Sequence, residues 1–188
     1  MVGYTCMSNR IIYAHFGVQP NIRFVVMQVY APHSARPEEE SNAFYAQLTG
    51  AIASLKGALR TNLVVLGDFN AKVCSDQRWG GCVGPFALGR ETTADGERMV
   101  HLCRQWDMAI ESTFYRHKPN DLYTRYSNAN TRSQLDHVLM VRTSPSTVTD
   151  CRAYRSSMGY LGTDHCLLVC DVRTHFPPMQ TSAPRMAA

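Results

Sequence analysis

Apolar residues recur along this chain in two periods. Phe44, Leu48, Ile52, Leu55 and Leu59 fall three and four apart, the spacing that lines one face of an α-helix. Pro37 followed by Glu38, Glu39 and Glu40 predicts where that helix begins: proline suits a first turn, and acidic side chains suit the positive end of the helix dipole. A second helix is predicted from Asp95 to about Trp106, with Met99, Leu102, Cys103 and Trp106 turned inward. Elsewhere the runs are short and β-rich. Residues 10–16 and 22–30 read as a hairpin with its turn at 17–20, and Leu63-Val64-Val65-Leu66 reads as a strand buried on both faces. Further strands are predicted over 108–111, 122–126, 134–141 and 166–172, and residues 72–92 form a long glycine-rich loop. Strands alternating with helices, with hairpin-like pairs among them, predict an α/β fold: a layered sandwich of two β-sheets flanked by helices.

Length and composition narrow the picture. With 188 residues and 45% hydrophobic content, one core is expected over residues 1–173. The stretch 174–188 holds three prolines and little apolar content, and is expected to be a disordered tail. No apolar run approaches the ~20 residues that span a bilayer, so no membrane association is expected. Met1 is followed by neither a basic nor a long apolar stretch. An intracellular protein is therefore expected, in nucleus or cytoplasm and not secreted. Seven cysteines, several of them inside apolar runs, read as small core residues in a reducing compartment.

The chemistry-bearing residues sit where β-like runs end. Gly67-Asp68-Phe69-Asn70-Ala71 follows the buried run directly. Alternate strand residues point the same way, so Asp68 and Asn70 share a face that Phe69 does not. An aspartate there can take a proton from water or hold a metal, and the asparagine can donate to a phosphate oxygen without adding charge. Asp-x-Asn after a strand is equally a turn former. Gln134-Leu135-Asp136-His137 opens one strand, Thr163-Asp164-His165 precedes another, and Gln28-Val29-Tyr30-Ala31-Pro32 closes a third. Taken singly, Asp164 reads as a turn cap, His165 as a rim histidine, Asp136 as a strand-edge charge and Tyr30 as a half-buried aromatic. Taken together, they predict several strands converging on one rim.

In this order the motifs Val29-Tyr30-Ala31-Pro32, Leu66-Gly67-Asp68-Phe69-Asn70-Ala71, Gln134-Leu135-Asp136-His137 and Thr163-Asp164-His165-Cys166 resemble the exonuclease–endonuclease–phosphatase superfamily. More narrowly the chain resembles the apurinic-type endonuclease domain of non-LTR (LINE-like) retrotransposons, in the group of craniofacial development protein 2-like sequences. The likeness runs from about Ile11 to Val172, and the spacers at 80–86, 93–99 and 131–137 share it.

The resemblance implies metal-dependent phosphodiester hydrolysis of DNA, with magnesium as cofactor and manganese as its alternative. It implies a monomer with no small-molecule cofactor. In the parent element such a domain nicks DNA to prime reverse transcription. Asp68 would orient or activate water, and Asn70 and Tyr30 would hold the scissile phosphate. His165, kept in place by Asp136, would stabilise developing charge, and Asp164 would help hold the metal.

Relatives open with a strand carrying an asparagine and a second ending in Gln-Glu, whose glutamate is a principal metal ligand. No glutamate precedes Glu38 here. The chain is therefore expected to lack the first elements of the fold and to be impaired in catalysis. A non-enzymatic remnant with weak DNA binding is the first alternative, and a phosphoesterase acting on a small phosphate ester the second.

Charge adds a separate expectation. The net charge is +4, and the window from Arg116 to Arg155 carries seven of the basic residues against three acidic ones. Basic side chains pair with phosphates and aromatic faces stack on bases. Tyr123, Arg125 and Arg132 are the expected nucleic-acid contacts, although an ordinary solvated surface would carry the same composition.

Overall fold

The computed structural model describes residues 1–19, 22–55, 57, 62–127, 131–144 and 147–173. The expected tail at 174–188 and residue 20 of the expected turn lie outside them. Among the described residues, ten strands occur in three sheets. The main sheet has the order β1-β2-β3-β4-β8-β5 and comprises β1 (Gly3–Cys6), β2 (Ile11–Gln19), β3 (Ile22–Tyr30), β4 (Leu63–Asp68), β8 (Asp136–Val141) and β5 (Met108–Ile110). Only β3 and β4 run parallel, and the 17-residue helix α1 (Glu38–Ser54) makes the crossover between them. A second sheet pairs β9 (Thr147–Tyr154) with β10 (Leu167–Arg173), and β6 (Arg125–Tyr126) and β7 (Arg132–Ser133) form a small hairpin. The other α-helices among the described residues are α2 (Ala94–Gln105) and the short α3 (Ser157–Leu161).

Strand alternation divides the core into two layers. On β4, Leu63 and Val65 face the helices while Val64 and Leu66 face the second sheet. On β8, Leu139 and Val141 face the helices while Val138 and Met140 face the second sheet. Helices α1 and α2 cover the first side with Phe44, Leu48, Ile52, Met99, Leu102 and Cys103. The β9–β10 pair covers the second with Val148 and Cys151, joined by Leu168, Cys170 and Val172. The expected layered α/β sandwich of two β-sheets with helices holds in this form, with α1 and α2 packed on one face of the main sheet.

Several expected boundaries shift. Helix α1 stops at Ser54 because Leu55 turns to extended backbone (ψ 130°), short of the expected end at Leu59, which lies outside the described residues. Residues 17–19, expected in a turn, belong to β2, which runs on through Gly17 to Gln19. The strand expected over 122–126 shrinks to Arg125–Tyr126. A 3-10 turn occupies Pro119–Asp121, and the Thr124 hydroxyl bonds to backbone amides of the next segment. Strands β1, β7 and β9 and helix α3 are additions that the sequence pattern does not announce. Four cysteines (Cys82, Cys103, Cys151 and Cys166) are buried, and all seven are free thiols.

Candidate active site

Register brings the first residues together. β3 and β4 pair Tyr30 with Asp68, and β4 and β8 pair Asp68 with Asp136, so three strand ends share one level of the sheet. Gly67 permits this closeness. Its φ is +143°, and a Cβ there would stand 2.0 Å from the Val29 carbonyl oxygen. Past β4 the chain turns at Asn70, whose φ of +48° is left-handed. The turn is fixed twice: the Asn70 amide donates to Asp68 Oδ1 (2.8 Å), and Asn70 Nδ2 donates to the Ala31 carbonyl (2.9 Å). Phe69 is fully buried beneath it.

His165 reaches the same level from the lead-in to β10. Tyr126 donates its amide to the Asp164 carbonyl, and the Cys166 amide donates to the Thr124 carbonyl, which straps residues 164–166 to the β6 strand. Thr124 is fully buried, and its hydroxyl oxygen accepts from the amides of Leu135 (2.9 Å) and Asp136 (3.0 Å). One residue therefore sets both Asp136 and the His165 segment. His165 Nδ1 then lies 2.9 Å from Asp136 Oδ2, while its Nε2 stands 4.0 Å from both Asp68 Oδ2 and Asp164 Oδ1.

The electrostatics sort these groups. Hydrogen bonding to Asp136 is the main reason that His165 titrates above the ordinary histidine range; burial opposes it, and the charges of Asp136, Asp68 and Asp164 add to it. Burial is the main reason that Asp68 titrates above the ordinary aspartate range. The Asn70 amide opposes that rise, and the nearby Asp136 reinforces it. Asp164 is held low by its hydrogen-bonded ion pair with Arg125 (Nε–Oδ2, 2.8 Å). His137 faces the other way and is fully buried, between the Ser112 hydroxyl (2.9 Å from Nδ1) and the Ala71 carbonyl (3.0 Å from Nε2). Burial keeps it below the ordinary histidine range, so it is a neutral prop behind the Asn70 turn.

The walls of one cleft of about 860 Å³ include Tyr30, Asp68, Asn70, Arg125, Asp164 and His165. Tyr30 is about half exposed, and the Arg10 guanidinium carbon stands 5.6 Å from its ring centroid. Six residues expected at the rim thus come together: Tyr30, Asp68, Asn70, Asp136, Asp164 and His165. Of the expected nucleic-acid contacts, Arg125 lines the cleft and is already paired with Asp164. Tyr123 and Arg132 are not among its walls. Thr131 and Ser133 do line it, and the strand residue between them points away: Arg132 bonds Asn120 Oδ1 (2.9 Å) and lies 5.6 Å from the Tyr126 ring centroid, with Tyr123 edge-on to that ring at 6.2 Å.

The basic window is split. Arg142 pairs with Asp107 at the far end of β8. The cleft instead gains Arg36, Glu38, Lys72, Asp95 and Arg98, which the motif reading missed. Glu38 and Asp95 carried a signal, and in both that signal was a helix start.

As a metal centre, the donor set is selective. Asp68, Asp136 and His165 offer ligand atoms that lie within 4.8 Å of one another. This grouping differs from the expectation that put the metal on Asp164. His165 holds its proton readily and bonds Asp136, so the hard oxygens of the carboxylates are the donors that suit an ion. Magnesium is commonly held by one or two carboxylates with water and substrate phosphate completing its shell, and the rim fits that pattern. No helix among the described residues is long and apolar enough to cross a membrane.

Known structures share this architecture. Over 88% of the chain, it is similar to the endonuclease domain of TRAS1, a telomere-specific non-LTR retrotransposon (14% identity, TM-score 0.60). It is also similar to the AP endonuclease LMAP from Leishmania major (13% identity, TM-score 0.56) and to the Xenopus laevis APE2 catalytic domain (17% identity, TM-score 0.51), again over 88% of the chain. The chain spans 63%, 55% and 57% of those three structures. No protein-family model and no curated protein matches it. The mixed six-stranded sheet with its helices is the fold of these endonuclease domains over part of their length.

Proposed function

We propose that this chain is a metal-dependent phosphodiesterase acting on DNA, of the retrotransposon endonuclease kind. One observation carries the reading: Asp68, Asn70 and His165, from two separate segments, line one cleft, and His165 is hydrogen-bonded to Asp136 from a third. When bound, a magnesium or manganese ion would supply positive charge to the phosphate and acidify a bound water. Asp68 and Asp136, whose oxygens lie together, are the residues that would hold it, with Asp164 at the same rim. Asp68 also orients the attacking water, and its raised affinity for protons suits a base that must accept one. Asn70 Nδ2 and the Tyr30 hydroxyl donate to phosphate oxygens. His165, kept protonated by Asp136, presents Nε2–H to the charge that develops on the phosphate oxygens.

The count of free carboxylates favours a second reading, a DNA-binding domain that hydrolyses poorly. Asp136 is engaged by His165 and Asp164 by Arg125, which leaves Asp68 as the least committed oxygen ligand. A plasmid-nicking assay separates the two. Under the first reading, magnesium supports nicking of supercoiled DNA, EDTA stops it, and both Asp68→Asn and His165→Ala abolish it while circular dichroism stays unchanged. Nicking that survives both substitutions overturns the assignment. Binding without nicking selects the second reading.

A further inference from the structure

The alternation that sets Asp68 and Asn70 on one face does not stop where the strand stops. Phe69, Ala71 and Val73 are buried, while Asp68, Asn70 and Lys72 are not, and all three of these line the cleft. Lys72 is therefore the next residue along the same wall.

The backbone of Lys72 is tightly fixed. Its amide donates to the Thr93 hydroxyl (3.2 Å), and its carbonyl accepts from the Thr93 amide (3.1 Å). Gly96 lets the start of α2 approach it, since a Cβ there would stand 2.1 Å from the Lys72 carbonyl oxygen. The side chain differs from every other cation in the cleft. Arg98 is bound by Glu38 and Asp95, Arg125 by Asp164, and Arg36 lies 3.9 Å from Glu40. Among the described residues no carboxylate pairs with Lys72, so an exposed, unpaired lysine on a fixed backbone lines the cleft beside the proposed phosphate site.

We propose that Lys72 holds the phosphate adjacent to the scissile one, so that the cleft recognises a polynucleotide strand and not an isolated phosphate ester. The inference rests on the phosphodiesterase reading of the same site. It concerns backbone positioning and carries no base specificity.

The test is equilibrium binding of a fluorescein-labelled DNA duplex, read by anisotropy across a KCl series in EDTA, with no turnover involved. Each phosphate contact adds about 0.9 to the slope of log affinity against log salt. Lys72→Gln is expected to weaken binding several-fold and to reduce that slope by about one. Lys72→Arg should restore it, and Lys118→Gln, exposed and outside the cleft, should leave it unchanged. Salt-dependent binding whose slope is the same in wild type and Lys72→Gln overturns the role of Lys72 while leaving the phosphodiesterase reading intact. Absence of salt-dependent binding by the wild-type chain overturns both.

Discussion

Asp136→Asn tests the centre of the site without any metal present. Asp136 Oδ2 accepts from His165 Nδ1 at 2.9 Å, and the two side chains are 19% and 27% exposed. A hydrogen bond to a charged partner contributes about 1.5–3 kcal/mol, and partial exposure puts this one near about 1.5 kcal/mol. The benefit depends on pH because the folded histidine binds its proton more tightly than the unfolded one. It is fully present below the ordinary histidine value of about 6.5 and is lost as pH rises through the higher folded value. The asparagine oxygen can still accept from a neutral imidazole, so little should be lost at alkaline pH. Urea denaturation should therefore show the variant destabilised by about 1.5 kcal/mol at pH 6 and by about 0.5 kcal/mol or less at pH 9. The His165 ring resonance should titrate closer to the ordinary range, and any nicking activity should lose its alkaline limb at lower pH than in wild type. An equal loss of stability at both pH values, or an unmoved His165 titration, would refute the argument.

Other outcomes follow from single groups. Burial raises the Glu111 carboxyl to about 7 from 4.5. Stability should then fall as pH rises through that interval and stay level above it, and Glu111→Gln should stabilise the protein at pH 8 by up to about 3 kcal/mol with no gain below pH 4; equal stability at pH 8 would count against it. Gly67→Ala would place a Cβ 2.0 Å from the Val29 carbonyl oxygen at φ +143°, and should cost about 2–4 kcal/mol in chemical denaturation as the β3–β4 pairing is forced apart. Magnesium should raise the melting temperature of the wild-type chain and leave Asp68→Asn unmoved; an identical shift in both would remove Asp68 from the metal site.

Much of the fold could be read from the chain because its strands keep a strict period. Leu63 to Leu66 divides between two cores as an alternating strand buried on both faces should. Strand β9 could not be read in the same way. Its buried residues are Val148, Cys151 and Ala153, and the step from 148 to 151 breaks the alternation. The cause is a bulge: Asp171 pairs with Asp150 but Val172 pairs with Val148, which leaves Thr149 without a cross-strand partner. Strand β1 is four residues long at a sheet edge with Tyr4 exposed, so it has almost no apolar face to announce it. The site was legible where a motif ended a strand and illegible where tertiary contact made a residue important. Thr124 lies between Tyr123 and Arg125 in a stretch that reads as an ordinary strand, yet its hydroxyl and carbonyl together position Asp136 and the segment that carries His165.

Charge shows the same limit more sharply. The window from 116 to 155 counts as basic in one dimension, but β8 runs through it, and six strand residues span about 20 Å. Asp136 begins that strand at the cleft, whereas Arg142 follows its far end and pairs with Asp107. Arg152 and Arg155 stack on Tyr154 and Tyr126, at 4.8 Å from each ring centroid. The window therefore gives the cleft only Arg125, and Asp164 takes its charge. Lys72, two residues beyond Asn70 and outside the window, also lines the cleft, and no carboxylate among the described residues pairs with it. What a substrate meets is decided by which cations remain unpaired on one wall, and that follows from strand register and helix approach. A net charge of +4 would be the same for any arrangement of these side chains.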